Sequence, residues 1–92
     1  MSEVKKICEW NDMVGNYSAH RSMDSDEVTA NYDMVMSEVE ELQGGWEESD
    51  RREVVDGLFD VIFTAVGTLH RMGYDAEEVL RVGNESNFSK FL

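Results

Sequence analysis

The stretch "EVVDGLFDVIFTAVGTLHRMGYD", Glu53 to Asp75, decides the fold. Val55, Leu58, Phe59, Ile62, Val66 and Leu69 recur at three- and four-residue spacing over four turns, the period of a helix with a buried stripe. Ser49 or Asp50 supplies an N-cap, and "RMGYD" ends the run at Gly73. The helix is apolar on more than one face, so it needs cover on both sides. Two features break its pattern. Asp60 sits between Phe59 and Val61 where a carboxylate is seldom buried without a partner or a metal. Gly57 and Gly67 each cost roughly 1 kcal/mol relative to alanine, which suits close approach of another backbone or of a ligand.

Working outward, three more helices can be placed, and the absence of proline agrees with an all-α chain. The first is expected from about Ser2 to about Tyr17, with Val4, Ile7, Cys8, Asn11 and Val14 on one stripe. The second begins at a Ser25 or Asp26 cap, carries Val28, Tyr32, Val35, Val39 and Leu42, and is expected to stop at Gly44-Gly45. Asp75 caps a last short helix from Ala76 to about Val82, leaving "GNESNFSKFL" as a further turn or an ordered tail. No repeat or long linker divides the chain, so residues 1–92 form a single domain.

Composition narrows the function classes. Twenty acidic against eight basic residues give a formal charge of -12, which disfavours nucleic acid and anionic membranes as partners. The lone cysteine, Cys8, excludes an internal disulfide and fits a reducing, cytoplasmic compartment, where packing is its expected role. "MSEVKKICEW" lacks the apolar core of a signal peptide, and the run from Leu58 to Val66 is far shorter than a bilayer span. A soluble protein is expected.

The carboxylates fall into register on the helices. Glu38 and Glu41 share a face of the second helix; Glu53, Asp56 and Asp60, at i, i+3 and i+7, share a face of the third. A short connector makes the two helices an antiparallel hairpin, so the clusters converge near one end of it. Mg²⁺ accepts such hard oxygen ligands, with Mn²⁺ as an alternative. With so many acidic residues in the chain, a merely solvated face is the competing reading.

"SEVEEL", then "EVVDGLFDVIFTAVGTLHRMGYD", then "SNFSKF", together spanning about Val35 to Phe91, resemble the all-α nucleoside triphosphate pyrophosphohydrolase superfamily. Its members include MazG-like enzymes, phosphoribosyl-ATP pyrophosphohydrolase and dimeric dUTPases. The resemblance implies a four-helix-bundle-type MazG-like fold. A 92-residue chain whose third helix is apolar on more than one face is expected to complete it by oligomerisation, as a homodimer or homotetramer with a four-helix core built from the second and third helices. The resemblance also implies Mg²⁺-dependent cleavage of a nucleoside triphosphate to the monophosphate and pyrophosphate.

The superfamily motif is EExxE, a spacer, then ExxD. Here Glu38 and Glu41 match the first part, with Ser37 at its first position. The second part reads in two ways: Asp60 with Gly57 where the glutamate would stand, or the literal ExxD of Glu53 and Asp56. The resemblance favours Glu38, Glu41, Asp56 and Asp60 as ligands, with Glu53 supporting or replacing one. Glu38 or Glu41 would also act on the attacking water. Lys90 resembles the family lysine near the phosphates, with Asn87 beside it.

For the base, Trp10 with Asn11, and Trp46, offer an aromatic face and an amide edge. His20, His70 and "MVM" at Met34 to Met36 stand alone and are assigned no chemistry. The alternative to an enzyme is a non-catalytic acidic helical module, a degenerate relative or a DNA-mimicking binding protein. A mimic spreads its carboxylates over the surface, whereas an enzyme gathers them at one concave site.

Overall fold

The computed structural model describes residues 1–91, and among them every regular element is an α-helix. The helices are α1 (Glu3–Met13), α2 (Asp26–Glu47), α3 (Arg51–Arg71) and α4 (Ala76–Ser89). Each starts on a side-chain cap. Ser2, Ser25, Asp50 and Asp75 accept hydrogen bonds from the backbone N–H of Lys5, Val28, Glu53 and Glu78, satisfying donors that the first turn leaves free.

Three helix ends differ from those expected. α1 stops at Met13 rather than near Tyr17, because Gly15 turns to φ 86° and the Asn16 N–H closes onto the Asn11 carbonyl at 2.8 Å. α2 does not stop at Gly44-Gly45 but continues to Glu47, and the chain reverses instead at Ser49, whose φ is 55°. The reason is packing. Gly45 is buried, and a Cβ there would lie 2.9 Å from Cβ of Glu53, so glycine lets α3 start against the flank of α2. α4 runs through Gly83 to Ser89, so most of the expected tail is helical.

α2 and α3 form the antiparallel hairpin that is the body of the molecule. Its register is marked by two close approaches, Gly45 against Glu53 and Gly57 against Leu42. α1 packs on α3 through a third: a Cβ at Gly67 would meet the Asn11 amide at 3.0 Å. Above and below that contact, Trp10 stacks edge-on to Phe63 at 4.9 Å, and His70 Nε2 bonds Asp12 at 2.7 Å. α4 docks by its first turn, with Ala76 buried and Glu77 paired with Lys5 at 3.4 Å. Cys8 is half-buried there; burial, then the charges of Asp12, Asp75 and Glu77, pushes its thiol up and disfavours the reactive thiolate.

The core within one chain is thin. Among the described residues, Val28, Val66 and Ala76 are its buried hydrophobic ones. Of the stripe expected to form the core along α3, Val55, Leu58, Phe59 and Ile62 are exposed by 60, 47, 56 and 58 %, and on α2 Tyr32 and Val39 are exposed too. The apolar pattern therefore marks two faces of α3. One packs in the hairpin, and the other is left about half uncovered by the described residues. No helix among the described residues is long and apolar enough to cross a membrane.

Candidate active site

At the middle of the hairpin, Glu38 and Glu41 on α2 face Asp60 on α3. One carboxylate oxygen from each lies within 4.8 Å of the other two. Gly57 makes this approach feasible: a Cβ there would stand 3.2 Å from Cα and Cβ of Leu42, the residue next to Glu41. Close helix packing thus accounts for a glycine at the position where the ExxD pattern has glutamate.

Glu38 and Asp60 are half-buried and Glu41 is exposed. Oε2 of Glu38 is buried and has no hydrogen-bond partner. Burial first, then the charges of Glu41 and Asp60, pushes the Glu38 carboxyl above its ordinary value of 4.5. Three converging carboxylates, one with an orphaned buried oxygen, are the donor set that a hard divalent cation such as Mg²⁺ takes, so the residues present fit that ion.

A raised glutamate has a definite consequence for metal-free stability. Between 4.5 and the raised native value, the folded protein holds a proton that the unfolded chain has lost, so Glu38 costs stability as pH rises through that window. Glu38→Gln is therefore expected to melt above the metal-free wild type at neutral pH and level with it below 4.5. Thermal melts in EDTA at the two pH values check this; a wild type more stable than the variant at neutral pH would contradict the geometry.

The other sequence candidates are placed as follows. Glu53 and Asp56 are exposed and lie outside the group of three, Glu53 with its Cβ turned against Gly45. Lys90 and Asn87 sit at the outer end of α4, where Nζ of Lys90 donates to Oδ1 of Asn87 at 3.1 Å. α4 packs on α1 and α3 but not on α2, so a single chain does not bring this pair to Glu38 and Glu41.

Trp10 and Asn11 line a groove of about 310 Å³ between α1 and the hairpin. Asn11 is chiefly structural: its Nδ2 donates to the Ile7 carbonyl at 2.8 Å and its Oδ1 accepts from Asn16 at 2.7 Å. Trp46 is 69 % exposed beside Arg51 and Val54 at the hairpin turn, apart from that groove.

The groove also exposes residues that sequence reasoning missed, Asn16, Asn31, Phe63, Thr64 and Arg71. It adjoins the carboxylates. Thr64 follows Asp60 by one turn and donates to its carbonyl at 2.8 Å, and Met34 precedes Glu38 by one turn. A signal was present in the sequence: Asp60, Thr64, Gly67 and Arg71, at i, i+4, i+7 and i+11, form one stripe of α3.

An all-helical chain whose central hairpin gathers carboxylates beside a groove is a member of the MazG-like all-α nucleoside triphosphate pyrophosphohydrolase superfamily. Within it, the chain belongs to the phosphoribosyl-ATP pyrophosphohydrolase family, whose model matches residues 10–87. The family indicates a pyrophosphohydrolase acting on nucleotide-like substrates. No curated protein and no solved structure matches the chain.

Proposed function

We propose that the protein is a Mg²⁺-dependent pyrophosphohydrolase, with Mn²⁺ able to substitute, that cleaves a nucleoside triphosphate to its monophosphate and pyrophosphate. The convergence of Glu38, Glu41 and Asp60 next to the α1 groove carries this reading. Mg²⁺ held by these three would neutralise phosphate charge and make a nearby water more acidic.

The chain's own residues do the rest. Burial and the neighbouring carboxylates raise the proton affinity of Glu38, so it is suited to orient the attacking water and to receive its proton as the water oxygen joins phosphorus and pyrophosphate leaves. Glu41, the exposed member, lies open to an incoming ligand. Trp10 and Phe63 give the nucleoside an apolar edge and face in the groove. Asp56 and Glu53 would act, if at all, from outside the group of three. Lys90 and Asn87 would reach the phosphates only from another copy or after movement of α4.

The apolar α3 face leads us to propose a homodimer or homotetramer in which that face is covered by a second copy. Neither nucleic acid nor a membrane is a proposed partner, because the net charge is -12.

A panel of ribo- and deoxyribonucleoside triphosphates, incubated with and without Mg²⁺, tests the reaction. Monophosphate and pyrophosphate in equal amounts, only with the metal, are the expected products. Diphosphate and phosphate would indicate a different bond cleaved, and no turnover on any nucleotide would favour the non-catalytic acidic module.

A further inference from the structure

Arg71 is the one charged side chain lining the α1 groove among the described residues. It stands at the opposite end from Asp60 on the stripe Asp60, Thr64, Gly67, Arg71, eleven residues along α3 or about 16 Å at the helical rise. Between them the groove is floored by Gly67 with the Asn11 amide packed against it, and Thr64 and Phe63 flank it on the Asp60 side. A nucleotide with its phosphates at the carboxylates and its nucleoside in the groove would have its base towards the Arg71 end.

The guanidinium is held but not used up. Nη1 donates to the Gly15 carbonyl at 3.0 Å, fixing the group against the end of α1. Nε–H is buried with no partner, and Nη2 makes no hydrogen bond among the described residues. Among the described residues no carboxylate pairs with Arg71, although acidic residues outnumber basic ones by twenty to eight. A guanidinium offers donors only, so unspent N–H groups at the end of a groove call for an acceptor.

We propose that Arg71 is a specificity-determining residue that selects nucleotides whose base presents a carbonyl oxygen on its outer edge, as hypoxanthine, guanine and uracil do. An adenine or cytosine would set an amino group against the guanidinium, donor facing donor. A carbonyl oxygen accepts from the guanidinium, and in purines N7 on the same edge accepts as well. This rests on the reading that the phosphates sit at Glu38, Glu41 and Asp60.

Inosine and adenosine nucleotides differ at the 6-position, carbonyl against amino, and at the N1 proton that goes with it, so they make the test. Calorimetric binding of the two 5′-monophosphates to the Mg²⁺-loaded protein should favour inosine by roughly tenfold to a hundredfold, and kcat/KM for the triphosphates should follow. Arg71→Met should bring inosine binding down to the adenosine level while leaving adenosine binding within about twofold, and Arg71→Lys should retain part of the preference.

Equal affinity for both nucleotides in the wild type would overturn the proposal. So would equal loss of both in Arg71→Met, which would make the residue a strut for Gly15. Failure of either nucleotide to bind at all would overturn it as well. A binding preference without hydrolysis of any triphosphate would support the role of Arg71 and remove the hydrolase reading, so the two failures are distinguishable.

Discussion

Asp60→Asn is expected to lower nucleotide hydrolysis by at least about a hundredfold, on the order of 2.7 kcal/mol of transition-state stabilisation, while the helical circular dichroism stays unchanged. Asp60 is the only contribution of α3 to the group of three, and its oxygen lies within 4.8 Å of those of Glu38 and Glu41. Asparagine keeps the shape but removes one of three negative charges. Cation affinity should drop, and the repulsion that raises Glu38 should ease. The metal-free variant is therefore expected to melt at or above the wild-type temperature. Glu53→Gln is the matched control. Its side chain is exposed and outside the group, so its rate should stay within a few fold of wild type. Equal damage from both changes would move the working motif to Glu53 and Asp56.

A double change on the uncovered face of α3, Leu58→Glu with Ile62→Glu, is expected to convert the wild-type assembly into monomers in sedimentation at micromolar concentration. Leu58 and Ile62 are about half exposed in one chain, and Val55 and Phe59 complete the same i, i+3, i+4, i+7 pattern. Two-fold symmetry would present this face to itself, so each pair of glutamates would meet the other copy's pair with like charge and no water. Neither residue belongs to the carboxylate group or lines the groove. A wild type that sediments as a monomer would leave the α3 face unexplained. A double variant that stays oligomeric would place the interface elsewhere.

Local signals made much of the fold legible. Ser25, Asp50 and Asp75 are caps because a short acceptor just before an apolar-periodic run has one job, and the structure uses all three that way. Gly73 ends α3's turn at φ 92°, as a C-terminal glycine does. Gly44-Gly45 misled because its meaning is tertiary: glycine both stops helices and admits a neighbour, and only the presence of Glu53 beside Gly45 decides between them. The same ambiguity concealed the site. Glu53, Asp56 and Asp60 share a face by spacing, yet the close approach of Gly57 to Leu42 sets which turn of α3 meets Glu38 and Glu41, and spacing within one helix cannot supply that register.

Asn11 shows the reverse case. An amide on an apolar stripe can read a base or fill a gap, and here the gap is the one left by Gly67, over fifty residues away in the chain. Arg71 escaped notice because the end of a helix is where a basic residue is ordinarily found. Lys90 was identified by its resemblance alone. The helix that carries it makes no contact with α2, so its role depends on a second copy or on motion.

Anomalous diffraction from crystals soaked in Mn²⁺ tests the central claim most directly, because it locates the cation without relying on turnover. A single strong peak at coordination distance from Glu38, Glu41 and Asp60, lost in Asp60→Asn, is the predicted result. A peak on Glu53 and Asp56, or no ordered peak anywhere on the α2–α3 hairpin at millimolar Mn²⁺, would contradict it.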